Sequence, residues 1–352
     1  MKTVAQMALT PGMELAEDVY SYKNELLIPA DTVLDAAMIA RLGRYSIMCV
    51  SIKEEADYAV THFEKVHVSE TFRRFEKEYQ TNMAVYKLIM NDFLEKGTLP
   101  QLNYLIEIHD NLRGCVENGE QLLDFLYNML PSEDDITYAH CLNSALIAGV
   151  FATWFALSAE DTKTLILCGF FYDVGKFKFP EKVIWKPGKL SDFEYNWMKT
   201  HTTIGYDLLK HKEALNEHIL NATLMHHERC DGTGYPSKLK SDEIDRFAKY
   251  ISIVDSYEAM TSARTYRASL TPFQVIEEFE KNGLEKYDML ILRTILEQIA
   301  AAQLGRTVRL SDEREAVVIL TNKQNLSRPL VKVEDTVIDL STSLDLNIIA
   351  IL

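Results

Sequence analysis

Residues 141–159 contain no charged side chain, and this run of nineteen residues is the feature that most restricts how the chain can fold. A helix of that length and composition either crosses a lipid bilayer or is buried inside protein. The run contains Asn143, Ser144 and Thr153 and follows His140 directly. Such polar groups are costly to place in lipid. We therefore predict a helix buried at the centre of a helical domain, and no membrane span.

The charge balance limits which partners are expected. The 352-residue chain has 37 Lys and Arg against 52 Asp and Glu, a formal net charge of −15. Its 47% hydrophobic and 25% charged residues are typical of a folded protein. Because an acidic chain binds nucleic acid and anionic membranes poorly, neither is expected as a partner. A phosphate-bearing ligand would need a local group of cations or a bound metal.

Cysteine usage and the N-terminus both favour a cytoplasmic location. The five cysteines are scattered and include no CxxC pair, which fits a reducing compartment better than a disulfide framework. The first residues lack a long apolar stretch, so no signal peptide is expected.

Changes of sequence pattern divide the chain into four predicted regions. Residues 1–66 are expected to form a small α+β module, with short strands at 26–29 and 47–52 around a helix at 31–44. The other predicted regions are a helical connector at 67–131, a helical domain at 132–304 and a β-rich segment at 305–352. Strands of the last region are predicted at 317–320, 330–333, 337–340 and 348–352. The predicted fold class is mainly α, with small β elements at both ends.

The connector begins with a regular apolar pattern. Apolar side chains recur at spacings of three and four residues, at Phe72, Phe75, Tyr79, Met83, Tyr86, Met90 and Phe93. This spacing predicts one face of a long helix that packs against another helix. Two alternatives stay open, namely packing within the chain and a homodimer through the helix at 69–96.

Histidine is concentrated in the middle of the chain, where six of the nine histidines lie between His140 and His227. Imidazole and carboxylate are ligands for first-row divalent metals, and one carboxylate can bridge two ions. Asp173 and Asp255 each lie within or beside an apolar helical segment. Taken singly, a core histidine or a capping aspartate is the simpler interpretation of each residue.

The sequence HHERCDGTGYP at 226–236 resembles the signature of the HD-GYP family, a branch of the HD-domain metal-dependent phosphohydrolases. The resemblance extends over about 135–304 and includes Gly175-Lys176, His201 with Gly205, and the segment AMTSARTYR at 259–267. It implies an all-helical domain around a site for two or three metal ions, often iron or manganese. It also implies hydrolysis of cyclic di-GMP, or of another cyclic dinucleotide, to the linear dinucleotide or mononucleotide.

The resemblance also assigns roles by motif. It implies a first metal ion on His140, Asp173 and Asp255, and a second ion on Asp173, His201, His226 and His227. Asp173 and Lys176 would be the catalytic residues, with Lys176 beside the attacked phosphate. The substrate-binding residues implied are Lys176, Gly234, Tyr235, Pro236, Arg264 and Arg267. The charge of lysine and the fork of arginine suit phosphate oxygens.

The sequence departs from the family at the residue before Asp173, where Tyr172 stands in place of the histidine of the HD pair. A phenol is a poor metal ligand at neutral pH because its usual pKa is near 10. The first ion would therefore lose a nitrogen ligand. Ile136 occupies the position of a glutamate that some members use for a third ion, so a three-metal centre is not expected.

Two hypotheses of different class follow from this departure. The chain is either an active phosphodiesterase with one or two divalent ions, or a degenerate protein that binds metal or cyclic dinucleotide and signals through partners. Iron or manganese is the expected metal, and the ligand set also suits zinc or nickel.

Overall fold

The computed structural model describes residues 2–21, 26–45, 47–53, 62–129, 135–184, 186, 191–262 and 270–352. Contacts within the chain divide it into two compact units, Met1–Arg73 and Arg74–Leu352. The fold is mainly α with small sheets near both ends, as predicted. The further boundaries expected at 131 and 304 stay predictions.

The first unit is a small α+β module. Strand β1 (Lys2–Ala5) pairs antiparallel with β4 (Cys49–Ile52), and β2 (Val19–Tyr20) pairs with β3 (Leu26–Ile28). Helix α1 (Ala36–Arg44) begins later than predicted because the Asp35 side chain caps it, accepting a hydrogen bond from the Met38 amide. Helix α2 (His62–Val68) follows. Leu15, Leu34 and Leu42 lie at the centre of the core of this unit.

The long predicted helix is α3 (Glu70–Lys96), followed by α4 (Leu102–Arg113) and α5 (Gly119–Asn128). Its apolar face is buried within the chain from Phe75 onwards. Phe75 packs on Phe125 with ring centroids 5.4 Å apart, and Tyr86 packs on Phe170 at 5.2 Å. This face therefore serves intramolecular packing. A homodimer through α3 would have to use another face, and it stays a prediction.

The uncharged run forms most of helix α6 (Ile136–Trp154). Among the described residues it is the one helix long and apolar enough to cross a membrane, and 83% of its apolar window is buried inside the protein. It packs along α7 (Ala159–Phe171). The helix is thus covered by protein on nearly all sides, as the sequence predicted, and it carries His140 into the core.

Further helices surround this pair: α8 (Glu181–Ile184), α9 (Asp192–Met198), α10 (His201–Leu209), α11 (Glu217–Met225), α12 (Arg246–Thr261), α13 (Pro272–Asn282) and α14 (Met289–Ala301). A short 3₁₀ segment, Val174–Lys178, directly follows α7. A capping box is present at the start of α9, where Ser191 and Glu194 exchange hydrogen bonds.

The chain ends in a five-stranded antiparallel sheet of order β8-β7-β6-β5-β9. Its strands are β5 (Thr307–Leu310), β6 (Glu315–Leu320), β7 (Leu330–Val333), β8 (Thr336–Asp339) and β9 (Ile348–Ile351). The sequence predicted four of these strands and missed β5. Arg309 interrupts the apolar pattern there, and the strand is defined by pairing with both β6 and β9.

Candidate metal centre

A close backbone contact places Asp173 beside distant histidines. Asp173 lies between the end of α7 and the 3₁₀ segment, and Gly175 lies against the first residue of α10. A Cβ atom at Gly175 would lie 1.9 Å from the carbonyl oxygen of His201. Glycine is therefore required for the two segments to approach this closely. The contact brings the Asp173 carboxylate to the start of α10.

His201, His226 and His227 form the group that we call the histidine cluster, whose ligand atoms lie within 4.8 Å of one another. Nδ1 of His201 is 2.7 Å from the Met198 carbonyl oxygen, and Nδ1 of His226 is 3.1 Å from two backbone carbonyls. Because a carbonyl only accepts hydrogen bonds, Nδ1 carries the proton in both rings. Each Nε2 atom is left with a lone pair.

These two lone pairs point at the same place. Nε2 of His201 is 3.3 Å and Nε2 of His226 is 3.5 Å from Oδ1 of Asp173, and the two nitrogens are 3.1 Å apart. Two lone pairs and a carboxylate oxygen repel one another at such distances unless a cation lies among them. Backbone bonds that orient ligating imidazoles in this way are typical of metal sites.

His140, Asp173 and Asp255 form a second group, the carboxylate cluster, again with ligand atoms within 4.8 Å. Nε2 of His140 is 3.1 Å from Oδ2 of Asp173 and 3.2 Å from Oδ1 of Asp255. The other ring nitrogen, Nδ1, pairs with the carboxylate of Glu258. Asp173 also faces the histidine cluster, so the six side chains that the sequence proposed as ligands lie in one continuous site.

Tyr172 lies inside the carboxylate cluster, and its side chain is completely buried. Its hydroxyl is 2.6 Å from Nε2 of His140, 3.3 Å from Oδ1 of Asp255 and 3.0 Å from the Ser144 hydroxyl. Burial, together with the charges of Asp255 and Asp173, raises the pKa of this phenol well above its usual value of 10. The hydroxyl therefore keeps its proton at neutral pH and can donate it to a neighbour.

The electrostatics of the two clusters differ. Burial lowers the pKa of His201, and burial with the neighbouring His226 lowers that of His227 well below 6.5. These rings are neutral and ready to bind a cation. Burial also lowers the pKa of His140, but Glu258 and the two aspartates outweigh it and hold that pKa well above 6.5. Both clusters are buried, so the sign of the shift depends on how many carboxylates surround each ring.

The Asp173 carboxylate is the strongest local indication of a cation. It is fully buried, and among the described residues neither of its oxygens accepts a hydrogen bond of good geometry. Burial raises its pKa, but the paired Lys176 and the adjacent imidazoles lower it well below its usual value, so it is ionised. A buried anion without directed hydrogen bonds fits a metal ligand. The histidine cluster with Asp173 thus suits a divalent cation.

The sequence comparisons agree with this geometry. The family model for the HD domain matches residues 124–291. A cyclic di-GMP phosphodiesterase from Pseudomonas aeruginosa is 30% identical over 205 residues, which cover 58% of this chain and 49% of the relative. The chain therefore carries an HD-type domain and is similar to cyclic di-GMP phosphodiesterases.

Other relatives match over different lengths. The response regulator RpfG of Xanthomonas campestris, a cyclic di-GMP phosphodiesterase, is 34% identical over 44% of this chain and 41% of its own. A cyclic di-GMP phosphodiesterase from Thermotoga maritima is 27% identical over 70% of this chain and 67% of its own. The chain thus spans less than half of the first two relatives.

The HD-GYP signature forms a loop against the histidine cluster. The ring of Tyr235 stacks on His227 with centroids 4.7 Å apart and planes inclined by 23°. The buried Glu228 carboxylate accepts hydrogen bonds from the amides of Ser237 (2.6 Å) and Leu239 (3.0 Å). A Cβ atom at Gly234 would lie 2.4 Å from Cα of Glu228, so the loop closes over Glu228 only with glycine there. Pro236 follows in this loop.

The predicted phosphate-binding cations are placed unequally. Lys176 pairs with Asp173 at the edge of the site and is partly exposed. Burial lowers its pKa, but Asp173 and Asp255 raise it on balance, so the ammonium is charged. Arg264 and Arg267 lie outside the described residues.

Glu258 is a site residue that the sequence reasoning missed. It is buried, pairs with His140 and accepts a hydrogen bond from the Asn143 amide at 3.1 Å. The signal was its spacing, because a residue three positions after Asp255 lies on the same face of α12. The Glu258 carboxylate fixes the orientation of the His140 ring.

Proposed function

We propose that this chain is a metal-dependent phosphodiesterase that hydrolyses a cyclic dinucleotide, with cyclic di-GMP as the first substrate to test. The observation that supports this most is the buried Asp173 carboxylate. It faces the imidazole lone pairs of His201 and His226 and forms an ion pair with Lys176. The relatives add support, since their names include cyclic di-GMP phosphodiesterase and 3′3′-cGAMP-specific phosphodiesterase.

In this proposal His201, His226 and His227 would hold a divalent ion together with Asp173. Iron or manganese is proposed from the resemblance to the family, and the ligand set also suits zinc or nickel. Such an ion supplies a Lewis acid for a phosphoryl oxygen and lowers the pKa of a bound water.

The remaining roles belong to side chains around the cluster. The Lys176 ammonium would pair with a non-bridging phosphate oxygen and offset the charge that develops there. Tyr235, fixed against His227 by Gly234 and Pro236, would form one wall of the nucleotide site. Lys199 lies 5.4 Å from the centre of the Tyr235 ring and adds a second positive charge beside the loop. Such local cations are what an acidic chain needs to attract a phosphate diester.

Arg264 and Arg267 are proposed as further phosphate-binding residues on the basis of the family motif. We also propose a cytoplasmic location, where a cyclic dinucleotide messenger would be met. The five cysteines are free thiols, in keeping with a reducing compartment.

A second candidate function is a non-catalytic receptor that binds metal or cyclic dinucleotide and acts through partners. The observation that favours it is the Tyr172 hydroxyl, which lies among the side chains proposed for the first ion. A centre altered in this way would retain phosphate binding through Lys176 and the ion of the histidine cluster.

One experiment separates the two functions. Protein loaded with Mn²⁺ or Fe²⁺ without oxygen is incubated with cyclic di-GMP, and the linear dinucleotide and GMP are separated by chromatography. Product from wild type and none from His227→Ala supports the phosphodiesterase. Binding by calorimetry without product supports the receptor, and neither binding nor product contradicts both functions.

A further inference from the structure

The environment of Tyr172 bears on how many ions this chain holds. The resemblance to the family implies two ions that share Asp173, with the first held by His140 and Asp255. In this chain the Tyr172 hydroxyl contacts both of those residues, at 2.6 Å and 3.3 Å. The atoms that would face an ion therefore already face a polar group of the protein.

Both ring nitrogens of His140 face polar groups of the protein. Its Nδ1 atom faces the Glu258 carboxylate, which accepts a hydrogen bond, so Nδ1 carries a proton. If the ring is neutral, the Nε2 lone pair accepts the phenol proton of Tyr172. If the ring is a cation, Nε2 also carries a proton and donates it to a carboxylate or to the phenol oxygen. In either state His140 has no lone pair left for a metal.

The identity of residue 172 explains the difference from a histidine. A phenol oxygen lies farther from the backbone than an imidazole nitrogen, so the Tyr172 hydroxyl reaches the His140 ring itself. The tyrosine ring also meets His226 edge-on, with centroids 4.9 Å apart, and is held by the Ser144 hydroxyl. It is a fixed and fully packed part of the core, and a neutral hydrogen bond there replaces a nitrogen ligand.

The histidine cluster lacks any comparable hydrogen-bond donor within the described part of the chain. The Nδ1 protons of His201 and His226 are directed away to backbone carbonyls, and the Nε2 atoms of these two rings face Asp173 and each other. The histidine cluster therefore needs a cation to be satisfied, whereas His140 and Asp255 already contact polar groups of Glu258 and Tyr172.

We infer that this chain binds one metal ion, in the histidine cluster with Asp173, and that the Tyr172 hydroxyl takes the place of the other ion by hydrogen bonding to His140 and Asp255. The inference concerns the number of ions and holds whether or not the protein hydrolyses a cyclic dinucleotide.

The test measures metal content, without any activity assay. The full chain and its variants are loaded with excess Mn²⁺ without oxygen and desalted, and bound manganese per chain is determined by mass spectrometry. We expect about one ion in wild type, none in His226→Ala and about one in His140→Ala. We expect about two ions in Tyr172→His, and a return to about one in the double variant Tyr172→His with His140→Ala.

Each outcome decides the inference. Two ions in wild type, or a loss of manganese in His140→Ala, would show that His140 is a ligand and overturn it. One ion in a folded Tyr172→His protein would show that the phenol is not what excludes the second ion. If that variant fails to fold by circular dichroism, wild type and His140→Ala still decide. With iron, a visible phenolate-to-Fe³⁺ absorption band that disappears in Tyr172→Phe would also overturn the inference.

Discussion

Asp173 is a member of the carboxylate cluster and also faces the histidine cluster, yet the polar atoms of the two clusters are satisfied in opposite ways. In the histidine cluster the pKa values of His201 and His227 are lowered and the lone pairs face one another. In the carboxylate cluster the pKa of His140 is raised, and its nitrogens pair with Glu258 and Tyr172. Ligand-type residues in contact therefore do not by themselves define a metal site. What matters is whether a lone pair remains unused.

The largest expected effect is at Asp173, which lies between the histidine cluster and His140. Asp173→Asn removes the buried charge that faces the histidine cluster, so we expect loss of the bound ion. Phosphodiesterase activity should fall on the order of 100-fold or more, since even partners outside the ligand shell change activity by 10–100-fold. Metal analysis and the cyclic di-GMP assay measure the two effects.

The matched control is Asp255→Asn, which changes the carboxylate cluster alone. Its ion content should stay at the wild-type value. An equal loss of metal in both variants would contradict the division between the clusters.

A second prediction treats the carboxylate cluster as structural. Glu258→Gln removes the charge paired with the buried His140, and a lost hydrogen bond to a charged group lowers the free energy of unfolding by about 1.5–3 kcal/mol. Urea unfolding of the metal-free protein measures this change. Bound metal should stay the same, and metal loss without a change in unfolding free energy would be the opposite of the expected result.

A third prediction concerns the loop that covers the histidine cluster. In Gly234→Ala the new methyl group would meet the backbone of Glu228 and displace Tyr235. Overpacking costs about 1–3 kcal/mol. If a similar amount of free energy is lost from the binding of the dinucleotide, its KM rises roughly tenfold. The ion content should not change. An unaltered KM in a folded variant would show that Tyr235 does not line the nucleotide site.

The smallest effect is expected at the half-buried pair of Lys186 and Glu194, which parallels the pair of Lys176 and Asp173. Lys186 and the Ser191 cap lower the pKa of Glu194 to about 2. Lys186→Met should raise that pKa part of the way towards 4.5, because the Ser191 hydrogen bonds remain. A carboxylate with a lowered pKa stabilises the fold above pH 4.5, and this contribution is lost as the pH falls towards 2. Nuclear magnetic resonance titration of Glu194 measures the shift, and no shift would mean that Ser191 alone sets it.

Much of the fold was predictable because apolar spacing is a local property of the sequence. The burial of residues 141–159 and the packing face of α3 followed from composition and period. Strand β5 did not, since Arg309 breaks its pattern and its pairing partners lie both before it and far along the chain.

The site was predictable as a set of residues but not as a network. Motifs singled out His140, Asp173 and the histidines, and their roles remain predictions. Glu258 and the contacts of Tyr172 escaped notice because they depend on how α6, α7 and α12 pack. The sequence showed that a nitrogen ligand was missing, while the side chain that satisfies His140 in its place required coordinates.

The contact between Gly175 and the His201 carbonyl has a consequence for how this centre can change over evolution. The approach of the start of α10 to Asp173 is set by main-chain atoms in close contact at Gly175 and His201. Single mutations can therefore change metal binding in the carboxylate cluster while the backbone contact that positions the histidine cluster is retained. A lineage could lose or regain an ion by a single codon change without refolding the domain.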